Sequence, residues 1–283
     1  MPPPINPAPS RLGLENVILH ARARFHQVRE FPGPLSLKSV LGGSVTWWCG
    51  RSPYRLTAAS CLLLGDGQPY SLEIEEALPV ETFCVFFQHG FVEDVHRTMT
   101  VPEAATLDQP AVTRRLSFEP ELWPAGEGVS QRLAAAARHG LSEDGMVALA
   151  EEIARTREKA MLQVAQLPGS RPATREELAK RLARGRQYLH ACFDAPAASA
   201  HAAREACLSP YHFHRAFRSL HGCTPHSYVT ELRMQHARAL LAAGHPATEA
   251  CLQTGYSSLP TFTHQFKRRF GVTPGAVKFR KIR

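Results

Sequence analysis

The spacing of apolar and polar positions changes character along the chain. Tyr70, Leu72 and Ile74 alternate with Ser71, Glu73 and Glu75, the period of a strand with one buried and one wet face. Phe83-Cys84-Val85-Phe86-Phe87 is a continuous apolar run, which predicts a strand covered on both sides. In Val45-Thr46-Trp47-Trp48-Cys49 a strand sends Val45, Trp47 and Cys49 to one face and Thr46 and Trp48 to the other. Gly42-Gly43 and Gly65-Asp66-Gly67 are turn signals between such runs. From about Val17 to Phe118 the pattern therefore predicts many short strands, closed into a barrel or sandwich.

The period then lengthens. Over residues 126–167, Met146, Leu149, Ala150, Ile153, Ala160, Met161 and Val164 recur at three- and four-residue steps among Glu151, Glu152, Arg155 and Arg157, which predicts helix. Leu167-Pro168-Gly169-Ser170-Arg171-Pro172 reads as a linker. Thr174 and Glu177 after it have the spacing of a capping box. Leu178, Leu182, Gly185, Leu189 and Cys192 carry the next helix, which Phe193-Asp194-Ala195-Pro196 ends. Further helices are expected over Ser199–Ala206, Tyr228–Ala243 and Ala247–Thr254.

The last third says one thing twice. Ser209-Pro210-Tyr211-His212-Phe213-His214-Arg215-Ala216-Phe217-Arg218 lies over Ser258-Leu259-Pro260-Thr261-Phe262-Thr263-His264-Gln265-Phe266-Lys267 at an offset of 49 residues, and the register holds through Gly222-Cys223-Thr224-Pro225 and Gly271-Val272-Thr273-Pro274. Self-similarity at one offset means one supersecondary unit built twice. Ser209 and Ser258 are N-cap candidates, and Gly222 and Gly271 stand where each helix must end. Phe213, Phe217 and Leu220 share one face, which predicts its burial. The opposite ridge carries Tyr211, His214, Arg215 and Arg218 in the first copy, and Pro260, Thr263, His264 and Lys267 in the second, with Arg268 beside it. An aromatic anchor face behind a basic, hydrogen-bonding ridge suits the DNA major groove, with Arg215 of the first ridge expected to fork onto a guanine.

Gly255-Tyr256-Ser257-Ser258, then Phe262 and Phe266 to Pro274, resembles the second helix-turn-helix of AraC-type transcription regulators. Leu208-Ser209-Pro210 with Phe213, Arg215, Phe217, Gly222 and Pro225 resembles the first, and Leu232-Arg233 with Ala237-Arg238-Ala239-Leu240-Leu241 the helix between them. Ala202 and Ala250 stand where the family usually has a larger aliphatic residue, and Cys207 where its first motif usually has glycine. The resemblance implies an α+β, multidomain chain. A cupin-like β-barrel would sense an effector over residues 1–125, a helical segment and linker would follow over 126–172, and an all-α domain with two helix-turn-helix motifs would bind DNA over 173–283. It also implies a dimer seam for the helix after the barrel; packing against its own barrel explains the same pattern. Beyond double-stranded DNA, the partners it allows are a small-molecule effector, RNA polymerase and a second copy of the chain, in the cytoplasm at the nucleoid.

Charge sharpens this division. Residues 1–169 hold 15 Lys and Arg against 19 Asp and Glu, a net −4, while residues 170–283 hold 18 against 6, a net +12. A polyanion partner is thus expected for the last third alone. No run reaches the roughly 18 apolar residues of a membrane span, so no membrane partner is expected. Met1-Pro2-Pro3-Pro4 lacks the charged start and apolar stretch of a secretory signal. Seven cysteines without a C-x-x-C predict reduced thiols rather than a disulfide frame or zinc site. His89 and His96, or His20 and His26, lack the H-x-H spacing of metal-dependent cupins, and His212 and His214 point apart on a helix. No metal, cofactor or catalytic residue is expected. A DNA-targeted cupin enzyme and a methyl-accepting repair protein are the alternative readings. The wholly apolar face of Trp47, joined by Tyr70, Leu72 and Ile74, predicts a barrel interior. With an indole N–H and a phenol as its few polar groups, that interior suits a small organic effector held at Trp47 and Tyr70.

Overall fold

The computed structural model describes residues 3–50, 52–100, 116, 118–125, 128–169 and 171–277. The chain forms two compact units, Met1–Leu162 and Gln163–Arg283.

The first unit is a nearly closed antiparallel sheet of seven strands: β1 (Val17–Pro32), β2 (Ser36–Gly42), β3 (Ser44–Cys49), β4 (Ser52–Thr57), β5 (Ser60–Leu64), β6 (Pro69–Phe86) and β7 (Glu121–Pro124). The long β6 is its spine. One edge of β6 pairs with β1; the other is divided between β2, along Glu81–Phe86, and β3, at Ser71 and Leu72. β4 extends the sheet beyond β3, and β5 and β7 extend it beyond β2. Two branches leaving one edge of a twisted strand curl toward each other. Val45, Trp47, Tyr54 and Leu56 of one branch thereby meet Val40, Leu62, Leu64 and Leu122 of the other in a single interior cluster, with Tyr70, Leu72 and Ile74.

The alternations expected from the sequence are present. Trp47 is 1% exposed on the interior face, whereas Trp48 beside it is 45% exposed. Phe83 to Phe87 are all buried, because the outer face of this strand is covered by helices. There Leu37, Leu63, Phe83 and Val85 pack against Val92 and Val95 of α1 (Phe91–Thr100), Val129 and Leu133 of α2 (Gly128–His139), and Met146, Leu149 and Ile153 of α3 (Glu143–Ala165). The first half of α3 thus packs on its own barrel. Two features depart from the expected pattern. Residues 91–100 form a helix inside the stretch read as strands, and Val92, Val95 and Met99 have its three- and four-residue spacing. The helical stretch after the barrel is two helices, parted at Gly140, whose φ of 83° breaks the first. Residues 101–115 of the expected β region lie outside the described residues.

The second unit is all helix: α4 (Pro172–Ala191), α5 (Ala198–Glu205), α6 (Pro210–His221), α7 (Pro225–Ala242), α8 (Ala247–Gln253) and α9 (Leu259–Phe270). It has two cores sharing one helix. Val229 and Leu232 of α7 join Phe213, Phe217, Leu182 and Leu189, while Met234, Ala237 and Leu241 join Phe262, Phe266 and Cys251. Leu167, read as linker, is buried in the first of these cores. The expected capping box is absent: Arg171 occupies the N-cap of α4 without a side-chain bond, Pro172 takes the first helical position, and Glu177 instead accepts from Arg181 at 2.9 Å. The helix between the motifs begins three residues before its expected start. Thr224, two residues after the Gly222 that closes α6, caps the next helix, its Oγ1 accepting from the Ser227 N–H at 3.1 Å.

Candidate nucleic-acid interface

Each repeat builds its exposed helix by the same local chemistry. Ser209 Oγ accepts from the His212 N–H at 3.2 Å and Ser258 Oγ from the Thr261 N–H at 3.5 Å, which satisfies one orphan donor at each N-terminus. Gly222 and Gly271 close α6 and α9 with φ of 70° and 75°. α5 precedes α6, and α8 precedes α9, across turns whose left-handed residues are Cys207, φ 51°, and Gly255, φ 75°. Cys207 thus takes a left-handed conformation that favours glycine. At Gly255 a Cβ would also lie 2.2 Å from the Asp194 carbonyl oxygen, so both the dihedral and the close approach demand glycine.

The anchor faces are buried and the ridges are not. Phe213, Phe217, Phe262 and Phe266 are enclosed, with Phe213 admitted by Gly185, where a Cβ would stand 2.4 Å from its ring. Tyr211, His214, Arg215 and Arg218 are exposed on α6, as are Pro260, His264, Lys267 and Arg268 on α9, with Thr263 half-buried. Arg215 lies 5.6 Å over the Tyr211 ring, and its Nη1 donates to the Tyr211 hydroxyl at 3.3 Å. This contact orients the guanidinium along the ridge. Arg269, next to Arg268, is instead held by Glu231 of α7 through two bonds of 2.6 and 2.7 Å. Burial alone would push the Glu231 carboxyl up, but the bonds from Arg269 and Gln235 and the Arg269 charge hold it below its ordinary value.

One residue ties the two motifs together. Arg233, in the middle of α7, donates through Nε to the Phe193 carbonyl at 2.7 Å, through Nη2 to that of Ala195 at 3.2 Å, and through Nη1 to that of Gly255 at 3.3 Å. The first two acceptors lie before α5 and the third lies in the turn before α9. A single planar fork thus fixes a loop of the first motif against the turn of the second. The sequence marked this arginine only as part of the motif resemblance. Its three acceptors lie 22, 38 and 40 residues away, and no spacing rule reaches them.

In the first unit, Trp47 and Tyr70 face the same interior cluster, but sequence reasoning missed their companion. Lys38 of β2 is 1% exposed and donates from Nζ to the Tyr70 hydroxyl at 3.3 Å. Burial lowers its amine to about 7, against the smaller opposing effects of Cys84 and Cys49. The alternation of β2 contained the signal: Lys38 falls between Ser36 and Val40 on the inward face, where a charged residue is out of place. Three of the histidines weighed for metal binding meet a single carboxylate: His20 with Glu81, His89 with Asp66 and His96 with Glu158. Among the described residues, no three His, Cys, Asp or Glu side chains gather as a metal site would require. Nor is any helix among them long and apolar enough to cross a membrane.

Comparison with known proteins matches the two units to different models. An AraC-like ligand binding domain covers residues 23–147 and a helix-turn-helix domain residues 202–280. The virulence regulon transcriptional activator VirF of Yersinia enterocolitica is 32% identical over 81 residues, which is 28% of this chain and 30% of that protein. The regulatory protein ada of Salmonella typhimurium is 31% identical over 88 residues, 31% of this chain and 24% of that one. The chain thus spans under a third of either relative's length. Among solved structures, ToxT of Vibrio cholerae aligns over 92% of this chain and 96% of its own, at 12% identity and a TM-score of 0.37. No residue role is transferred from that superposition.

Proposed function

The chain belongs to the AraC-type transcription regulators, with an AraC-like ligand-binding domain ahead of a helix-turn-helix domain, and from that premise we propose that it is a sequence-specific, effector-responsive regulator. α6 and α9 enter successive major grooves of one duplex. Tyr211, His214, Arg215 and Arg218 meet the first groove, and Pro260, Thr263, His264, Lys267 and Arg268 the second. Arg215 reads a guanine, whereas Lys267 and Arg268, near the end of α9, contact phosphates. The observation that carries this reading is the duplicated helix, capped and buried alike in both copies, with the two copies locked by Arg233. The interior of the barrel, at Trp47 and Tyr70, holds a small organic effector. On this reading the sensor takes residues 1–125 and the connecting helices 126–172. The DNA-binding domain is read as 173–283, with Leu167 of the preceding linker packed into its core. RNA polymerase and a second copy of the chain are partners within the proposal, in the cytoplasm at the nucleoid. It assigns no catalytic role.

Selection of bound fragments from genomic DNA tests it. The expected enriched site is asymmetric, with two half-sites about 10 base pairs apart. Recovery of fragments with no shared sequence would refute sequence-specific regulation.

A further inference from the structure

Lys38 occupies a position for which the fold itself has no need of a charge. On β2 it stands between Leu62 of β5 and Cys84 of β6, pointing with Val40 into the barrel. Its Nζ lies 3.5 Å from the centre of the Phe86 ring and 4.6 Å from that of Tyr70. The Tyr70 hydroxyl accepts one of its three N–H donors, and among the described residues no carboxylate pairs with it. A methionine would fill the same space without the cost of an enclosed ammonium.

The neighbouring polar groups share its deficiency. Trp47 Nε1 and Ser36 Oγ are buried without a hydrogen-bond partner. Ser36 lies two residues before Lys38 on the same strand face, opposite Phe86, and Trp47 lies opposite Leu72, two residues from Tyr70. An indole N–H only donates, and the Tyr70 hydroxyl, having accepted from Lys38, keeps its own proton to give. The interior is therefore rich in donors and poor in acceptors, with a positive charge at its centre and Leu56, Leu62, Leu72 and Val45 around it. A group that supplies several acceptor lone pairs and one negative charge, carried on an apolar body, completes this set.

We propose that the effector is an organic monocarboxylate, with Lys38 as its counter-ion and Tyr70 and Trp47 as further donors. This rests on the reading of the barrel as the effector site and names the class of compound it takes.

The test uses the full chain and two acids, phenylacetate and octanoate, each beside its neutral amide, titrated by calorimetry at pH 6.5 and pH 9. Each acid should bind at least ten-fold tighter than its amide at pH 6.5, and the preference should shrink at pH 9 as free Lys38 loses its proton. The groups facing Lys38 do not titrate in that window: burial holds Cys49 at about 11 and pushes Cys84 and Tyr70 up as well. Lys38→Met should abolish the preference, each acid then binding no tighter than its own amide. Equal binding of acid and amide by the unaltered protein overturns the anion assignment and leaves the effector site standing. Binding of none of the four overturns both. A preference that survives in Lys38→Met places the acid elsewhere and also defeats the proposal.

Discussion

Lys38 shows how one residue can govern the stability of a whole unit. In the unfolded chain its amine keeps the ordinary value of 10.5, whereas in the barrel it falls to about 7. Below pH 7 both states hold the proton, and the cost of the enclosed charge is fully present. Between pH 7 and 10.5 the unfolded chain binds the extra proton, so the contribution of Lys38 to stability improves as pH rises. Lys38→Met should therefore stabilise the ligand-free protein by about 1–4 kcal/mol near pH 6. Urea melts should show that gap closing toward pH 9. A gap independent of pH would mean that the amine is not the source of the cost. On the other unit, Arg215→Ala removes the ridge guanidinium that Tyr211 orients. It should cost about 1–3 kcal/mol at the preferred DNA site and relax the preference at one base pair. Equal loss on preferred and random duplexes, read by mobility shift, would make Arg215 a phosphate contact instead.

At the scale of elements, the question is what makes two short helices act as one reader. α7 carries a core on each half, and Arg233 bonds to loops of both motifs between them. Hydrogen bonds from a charged group are worth about 1.5–3 kcal/mol each, and the three of Arg233 act on spacing rather than on either helix. Arg233→Leu should thus leave α6 and α9 folded while their separation loosens. Its DNase footprint should contract from two grooves to one, with affinity lowered about ten-fold or more. An unchanged footprint would show that packing along α7 alone sets the spacing. The bidentate Glu231–Arg269 pair adds a second strut between α7 and α9. It also explains why the basic run at the end of α9 offers Lys267 and Arg268, rather than Arg269, to a ligand.

At the scale of the molecule, the basic charge and both motifs belong to one unit with its own two cores. A fragment from Gln163 to Arg283 should bind the preferred duplex without the barrel. A start at Arg171, after the linker read from sequence, would remove Leu167 from its core. Binding should weaken steeply between 50 and 200 mM salt, by about 10³-fold for six phosphate contacts. A complex indifferent to salt would contradict a phosphate-based grip. Features written locally are legible in the order of the residues alone. The Ser209 and Ser258 caps act over three residues, the φ of Gly222 and Gly271 over one, and the faces of Trp47 and Phe213 follow from period. Local signals mislead where they serve two elements or meet a competitor. Thr224-Pro225 follows the stop of one helix and opens the next, Pro172 displaces the Thr174 cap, and the spacing of Val92, Val95 and Met99 is lost within a stretch of strands. The sequence by itself thus determined most of the elements, their faces and the division of charge, because each depends on neighbours within a few residues. Only the tertiary structure decided that Lys38 meets Tyr70, that Arg233 meets Phe193, Ala195 and Gly255, and that Glu231 claims Arg269. Those partners are 22 to 40 residues apart along the chain, and only the packing of cores around β6 and α7 brings them within reach.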